Sequence, residues 1–467
     1  MSLSIGLGAH LTPAALIAGG TDGLAVTPDS WPAVTASADF LAAWVAAGKP
    51  CYGVTTGFGP LVAFDVDPTA AGHGLGLIRH LCAGFGPPAP PAIVRAMAIS
   101  RAHTLAKGYA GISAETLRRW AAFAPEAGQL TVPRYGSVGA SGDLIPMAHA
   151  VSGWLQRIGL SDLPARDALA LVNGTALTTA LASAAVATGE RLLRWSMRAT
   201  AEVMAALGCT DAHLQPRIHT LRGHGGQIAT AAGIAAGLAT LAGPARVRPL
   251  QEPYSLRCAP AVLGSLAEAL AALTAAAETE LNGISDNPIV DVAAEAVWHG
   301  GNFHAQHLGA RLDLVLGAVV QAANLAERQL ALILEPATNG GLPPLLASRP
   351  GAQSGFAGAQ RAATAPAAQM RASCMPQSSQ SLPTNLSNQD LVPFSVGSGW
   401  TLWDRLADWA RLLATLLLAA GQAAHAHDHP RTTAFTAEHE LSLGRFSADQ
   451  ALADPIEALT ASLLISG

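Results

Sequence analysis

One stretch of the chain, Gly136-Ser-Val-Gly-Ala-Ser-Gly-Asp-Leu-Ile-Pro146, gathers small residues around the Ser141 hydroxyl and places a proline where a helix would begin. Small residues let one backbone segment fold closely onto another, and proline suits the first turn of a helix. On its own the stretch reads as an ordinary glycine-rich turn or as a reactive serine loop. A hydrolase elbow does not fit, because GxSxG around Ser141 requires glycine where Asp143 stands. Six more stretches are polar or rich in glycine. They are Tyr52-Gly-Val-Thr-Thr-Gly-Phe-Gly59, Asn173-Gly-Thr175, Gln251-Glu-Pro-Tyr-Ser-Leu-Arg-Cys258, Ser285-Asp-Asn-Pro288, Gly300-Gly-Asn-Phe303 and Asn388-Gln-Asp390. They offer a phenol able to take a proton, a guanidinium able to grip a carboxylate with two parallel bonds, and several amides.

Three other constellations carry less. His425, His427 and His429, with Asp428, lack a clear fourth metal ligand and fall at an expected helix end, which favours a surface terminus. His304 and His307 share a helical face but have no third ligand with them, so no metal is expected. Gly72-His-Gly-Leu-Gly76 has neither the strand before it nor the βαβ unit after it that a dinucleotide loop needs.

The elements that must hold these residues are helices. Apolar periodicity is helical nearly throughout, and alternating β-branched runs are scarce, so the expected fold class is all-α. The expected organisation is a loop-rich N-terminal domain over residues 1–190, carrying the Ser141 loop, and a long-helix bundle with a C-terminal helical region over 191–467. Ser265-Leu-Ala-Glu268 reads as a capping box that opens a helix to about Asn282, stopped by Gly283. Two more long helices are expected from Arg311 to about Leu334 and from Thr401 to about Ala424. Glycine-rich loops are expected at 52–59, 72–76 and 131–142.

Composition narrows the setting. The 467 residues are 50% hydrophobic and 13% charged, against a usual charged share of about 25%. Such a chain hides apolar surface in a membrane or against other subunits. A membrane helix needs about 20 largely apolar residues. The nearest run, 228–245, is mostly Ala, Gly and Thr, with Gly233 and Gly237 at a spacing that lets helices approach closely. A buried bundle helix is therefore expected there. The net charge of −5 and the lack of a basic run exclude nucleic acid as the expected partner. Five scattered cysteines without a CxxC pair, and an N-terminus without a basic n-region, point to a reduced, cytoplasmic protein.

Taken in order, the seven stretches resemble the histidine, phenylalanine and tyrosine ammonia-lyase family, the tyrosine enzymes most closely. The resemblance implies an all-helical homotetramer with active sites shared between chains, which suits the apolar composition. It also implies that Ala140, Ser141 and Gly142 cyclise and lose water to give methylidene-imidazolone, with no external cofactor. The residue types make physical sense of this. Gly142 has to turn its backbone nitrogen onto the Ala140 carbonyl, where a side chain would obstruct closure. Ser141 supplies the hydroxyl whose loss leaves the exocyclic methylene. A helix after Asp143 would aim its positive end at the group.

By the same resemblance Tyr52 takes the substrate β-proton, its phenol brought down from a pKa near 10 by positive helix ends or by Arg257. Arg257 clamps the substrate carboxylate, and Tyr254 sits beside the electrophile. Asn173 and Gln251 bond the electrophile's oxygen or the substrate, and Asn302 and Phe303 add contacts. Whether amine or ring attacks the electrophile is left open by the residues.

Two positions bear on substrate. Tyrosine-selective members of the family carry His-Leu where this chain has His80-Leu81, whereas phenylalanine enzymes carry Phe-Leu and histidine enzymes Ser-His. Imidazole can hydrogen-bond a phenolic hydroxyl, and a phenyl ring cannot. Histidine enzymes place Glu where Gln389 stands, and Asn385 and Asn388 also resemble the tyrosine enzymes. The expected reaction is L-tyrosine to trans-p-coumarate and ammonia, with L-phenylalanine a slower second substrate. The alternatives are a phenylalanine or histidine ammonia-lyase, or a tyrosine 2,3-aminomutase on the same scaffold. Cys51, His304 and a chain shorter than typical members depart from the pattern.

Overall fold

The computed structural model describes residues 2–67, 72–241, 248–425 and 447–465. Helix makes up 62% of the described residues, among which the strands form only three two-stranded pairs, so the all-α expectation holds. The pairs are Leu3–Ile5 with Leu24–Val26, Phe85–Pro88 with Pro133–Tyr135, and Ile289–Asp291 with Ala296–Trp298. His427 and His429 lie outside the described residues.

The chain forms two compact units. The first holds residues 1–187, 273–313 and 376–400; the second holds 188–272, 314–375 and 401–467. The boundary expected at 190 lies close to the first division, but the chain then re-enters the first unit twice. Only the division at 375/376 falls in a loop, after the helix Ala357–Ala372. The other four fall within the helices Ala176–Leu207, Ala259–Asn282, Gln306–Leu334 and Ser395–His425.

Three of these helices end where their sequences predict and begin earlier. Ser265 and Thr401 are interior residues rather than caps. Ala259–Asn282 starts a turn and a half upstream, with Pro260 in its first turn, a position that tolerates the missing N–H. Ser395–His425 runs through Gly399, where a Cβ would meet Leu181 at 2.9 Å. Close helix approach, not chain termination, explains that glycine.

The core of the first unit is built on the helix Pro91–Leu105, whose residues are buried almost all round. A helix apolar on every face is an interior helix. Trp120 and Trp154 meet edge-to-face nearby with ring centroids 5.3 Å apart. In the second unit the helix Gly225–Ala239 packs through its glycines. A Cβ on Gly233 would stand 2.6 Å from Met197 Sδ, and one on Gly226 would stand 2.3 Å from the Gly264 carbonyl. At 15 residues it is too short to span a bilayer. Two longer helices, Ala259–Asn282 and Gln306–Leu334, are long and apolar enough to do so by length and composition. The first buries Leu263, Leu266, Leu270 and Leu273, the stripe of a core helix.

Candidate active site

The loop around Ser141 is shaped by glycines that no other residue could replace. Gly142 has φ 72°, and a Cβ there would stand 2.2 Å from the Gly174 carbonyl oxygen and 2.6 Å from the Gly174 nitrogen. Gly139 has φ 71°, and a Cβ would meet Ser395 Oγ at 2.2 Å. The two strands of backbone run parallel, joined by the Asp143 N–H donating to the Gly174 carbonyl at 2.7 Å. Asn173 Nδ2 donates to the Ser141 carbonyl at 3.3 Å, and Asn173 Oδ1 accepts from the Asn287 N–H at 2.8 Å. Gln389 Nε2 donates to Ser141 Oγ. Ala140 is buried behind the loop.

As expected, a helix begins directly after Asp143, at Leu144–Ile158, and Pro146 removes one of its unpaired donors. The Asp143 side chain does not cap it. It turns to the first turn of Ala176–Leu207, accepting from the Thr178 N–H at 2.7 Å and Thr178 Oγ1 at 3.1 Å, and from Ser137 Oγ at 3.0 Å. Complete burial nonetheless pushes this carboxyl up to about 6. Asp143 thereby pins the loop to a second helix N-terminus.

A cleft of about 1190 Å³ opens over this loop, and all its lining residues belong to the first unit. Ligand pockets usually measure about 300–1,000 Å³, so one amino acid would not fill it. Tyr52, His80, Leu81, Ser141, Gly142, Asn173, Phe303, Asn385, Asn388 and Gln389 all line it. The structure thus brings together ten of the residues picked out from sequence. Tyr52 Oη accepts the Gly59 N–H at 2.7 Å, across a turn made possible by Gly53 and Gly59, both at positive φ. Burial pushes the phenol up, and only the Gly59 amide opposes this. The lowering expected from helix ends or Arg257 has no counterpart among the groups acting on Tyr52.

His80 lies on the helix His73–Leu81, with Nδ1 3.2 Å from the Gly76 carbonyl. This corrects the expected loop at 72–76: Gly72, at φ 78°, starts the helix and the rest is inside it. Asn385, Leu386 and Ser387 hold three successive positive φ angles near 57°. They form a left-handed turn that sets the Asn388 N–H on the Asn385 carbonyl and brings Gln389 back against Thr384.

The remaining selected residues lie elsewhere. Asn302 is in the first unit but bonds the Ile284 carbonyl at 3.2 Å and does not line the cleft. Gln251, Tyr254 and Arg257 belong to the second unit. There Tyr254 is 71% exposed, with the Arg257 guanidinium 4.6 Å over its ring, and Arg257 Nε has no hydrogen-bond partner among the described residues. His304 precedes the helix Gln306–Leu334 rather than sharing a face with His307, and bonds the Leu391 carbonyl.

Sequence reading passes over Phe58 and His73, which stack at 4.6 Å on the cleft wall beside Tyr52. It also passes over Arg101, whose only signal is a charge inside an otherwise apolar helix.

A self-formed ring fits this loop: the glycine that must close has no room for a side chain, and the serine that must dehydrate faces the cleft. The fold and this chemistry are those of a carbon–nitrogen lyase that makes its own electrophile. A sequence profile described as aromatic amino acid lyase matches residues 11–443.

The chain belongs to that family, whose members eliminate ammonia from an aromatic amino acid with an autocatalytically formed methylidene-imidazolone and no external cofactor. It is 34% identical to a histidine ammonia-lyase of Symbiobacterium thermophilum, over 98% of this chain and 96% of that protein. It is 33% identical to one of Bradyrhizobium diazoefficiens, over 94% and 88%. Among solved structures it resembles the tyrosine aminomutase of Streptomyces globisporus, with TM-score 0.90 and 29% identity over 99% and 97% of the two chains.

Proposed function

We propose that the protein is a tyrosine ammonia-lyase, converting L-tyrosine to trans-p-coumarate and ammonia, with L-phenylalanine as a slower substrate. The observation that carries this is His80 on the wall of the cleft into which Ser141 opens. A carbonyl only accepts, so the contact with Gly76 puts the hydrogen on Nδ1 and leaves Nε2 as an acceptor for a phenolic O–H. Gln389, neutral and in contact with Ser141, offers no charge for a basic ring.

The electrophile is assigned to Ala140, Ser141 and Gly142. Once formed, it supplies an electron sink that makes the amine a better leaving group. Tyr52 removes the β-proton at Oη, where the Gly59 N–H steadies the phenolate. Asn173 fixes the ring's position through the Ser141 carbonyl. Gln251, Tyr254 and Arg257 reach this cleft from another copy of the chain in a homotetramer, Arg257 gripping the substrate carboxylate. The exposure of Tyr254 and Leu250 and the excess volume of the cleft support this sharing. Asn302 acts through the backbone of the 284–303 region. Five unpaired cysteines support a cytoplasmic setting.

Two histidine ammonia-lyases among the relatives favour histidine as the second reading. Initial rates with tyrosine, phenylalanine and histidine offered separately decide between them. Tyrosine should give the highest kcat/KM, and urocanate formation above coumarate formation would overturn the proposal. A β-amino acid among the products would make the protein an aminomutase.

A further inference from the structure

Behind the Ser141 loop the first unit carries a buried ion pair that no step above uses. Arg101, on Pro91–Leu105, and Asp286 are each 1% exposed and 2.5 Å apart. A buried pair is weak support for stability, since apolar residues of similar volume often do as well or better. Its place in the loop architecture supplies another reason.

Three backbone segments stack: 140–143, then 173–175, then 285–287. The first two are joined by the Asp143–Gly174 and Asn173–Ser141 bonds, the second and third by Asn287 N–H to Asn173 and, at 3.5 Å, Thr175 N–H to Ser285 Oγ. Gly174, pressed against Gly142, has its own back to the pair: a Cβ there would meet Ser285 Oγ at 2.7 Å and Arg101 Nη1 at 3.0 Å. Arg101 also donates to the Ala170 carbonyl and to Thr104 Oγ1. The pair therefore locks the third segment to the central helix and to the chain entering the second segment.

We propose that Arg101 and Asp286 are positioning residues for ring closure, holding Gly174 against Gly142 while the Gly142 nitrogen bonds to the Ala140 carbonyl carbon. The proposal rests on the assignment of the electrophile to these residues. In closure a C–N bond forms, and the Ala140 oxygen leaves as water with the hydrogens of the Gly142 and Ser141 amides. Ser141 then gives up its Cα hydrogen and its hydroxyl as a second water. No oxidant or reductant is required. The pair sits one layer away from every reacting atom and exchanges no proton with them. It maintains a distance, and misplacement by about 1 Å costs on the order of 100-fold in rate.

The test is cell-free synthesis of the full chain, with intact mass followed over time and folding checked by circular dichroism. The wild-type chain should become two waters lighter. Arg101→Lys keeps the charge but loses the fan of donors that ties Asp286, the Ala170 carbonyl and Thr104 together, and should mature at least about tenfold more slowly, since its displacement approaches the same scale. Arg101→Met with Asp286→Leu strands neither member of the pair, leaves the neighbouring buried Arg166 to Asp167, and should also mature slowly. Ser285→Ala, the mildest change, should delay maturation by a smaller factor. In each, the matured fraction should turn over with the wild-type kcat. Maturation of a folded variant at the wild-type rate would overturn the proposal, as would a lowered kcat in the matured fraction. If both Arg101 variants fail to fold, Asp286→Asn, which keeps the side chain's shape, decides by the same comparison of maturation rate and kcat. A wild-type chain that keeps both waters while active would instead sink the assignment of the electrophile.

Discussion

Replacing His80 with phenylalanine isolates the contact on which substrate choice is argued to rest. On the proposed function, the tyrosine hydroxyl donates to His80 Nε2 in the wild-type cleft. Such a bond is worth about 0.5–1.5 kcal/mol net, and a hydroxyl left without a partner in a desolvated site costs about 1–3 kcal/mol. A phenyl ring removes the bond and strands the hydroxyl, so kcat/KM for tyrosine should fall by about 2 kcal/mol, roughly 30-fold. Phenylalanine leaves Nε2 unpaired in the wild type and should gain from the change. The gain is smaller, about 1 kcal/mol, because phenylalanine lacks the hydroxyl oxygen and leaves room for a water on His80, which is exposed in the cleft. The tyrosine-to-phenylalanine ratio should therefore move by about 3 kcal/mol, roughly two orders of magnitude. The assay is the initial rate of coumarate and cinnamate absorbance across substrate concentrations. A ratio within about twofold of wild type, below a half kilocalorie per mole, would refute the role given to His80.

Tyr52→Phe should lower kcat/KM by about 10²–10⁴-fold if the phenol is the base. Because burial holds that phenol protonated, wild-type kcat/KM should climb with pH through the alkaline range, and a Tyr52→Phe enzyme with the same climb would point to another base. Gly142→Ala adds a Cβ that would stand 2.2 Å from the Gly174 carbonyl, on a backbone costing a side chain about 1–2 kcal/mol. It should stay at its encoded mass and be inactive, and a mass two waters lighter would contradict the closure geometry. Asp143, raised from 3.8 to about 6, holds its proton more tightly folded than unfolded. Its contribution to stability is fully present below about pH 4 and lost as pH rises through about 6, by about 3 kcal/mol at most. Comparing unfolding of wild type and Asp143→Asn across that interval should show a difference that changes with pH; a constant difference would remove the argument.

Most of the cleft is legible in the sequence because its chemistry restricts residue types. Gly142 and Gly174 approach too closely for side chains, and Tyr52, His80 and Asn173 belong to motifs with fixed companions. Arg101 is not legible: a single charge in an apolar helix gives no hint that its partner lies 185 residues away. Helix ends read better than helix starts. Gly283 is a real stop, whereas Ser265 and Thr401 look like caps yet sit mid-helix, where packing overrides local preference. The two-unit division escapes notice because four of its five crossings fall within uninterrupted helical sequence. Arg257 and Tyr254 sit together in space, one ring under the other's guanidinium, but spacing along the chain gives no sign of which unit holds them.

The stacked segments at 140–143, 173–175 and 285–287 also set an order in time. Synthesis runs from the N-terminus, so the first segment is made long before the third exists to back the second. A nascent, truncated or misfolded chain carries only unreactive alanine, serine and glycine. On the proposed backing of ring closure, the cell's thiols and amines meet no stray electrophile, because the reactive group arises only inside a chain that has already folded around it.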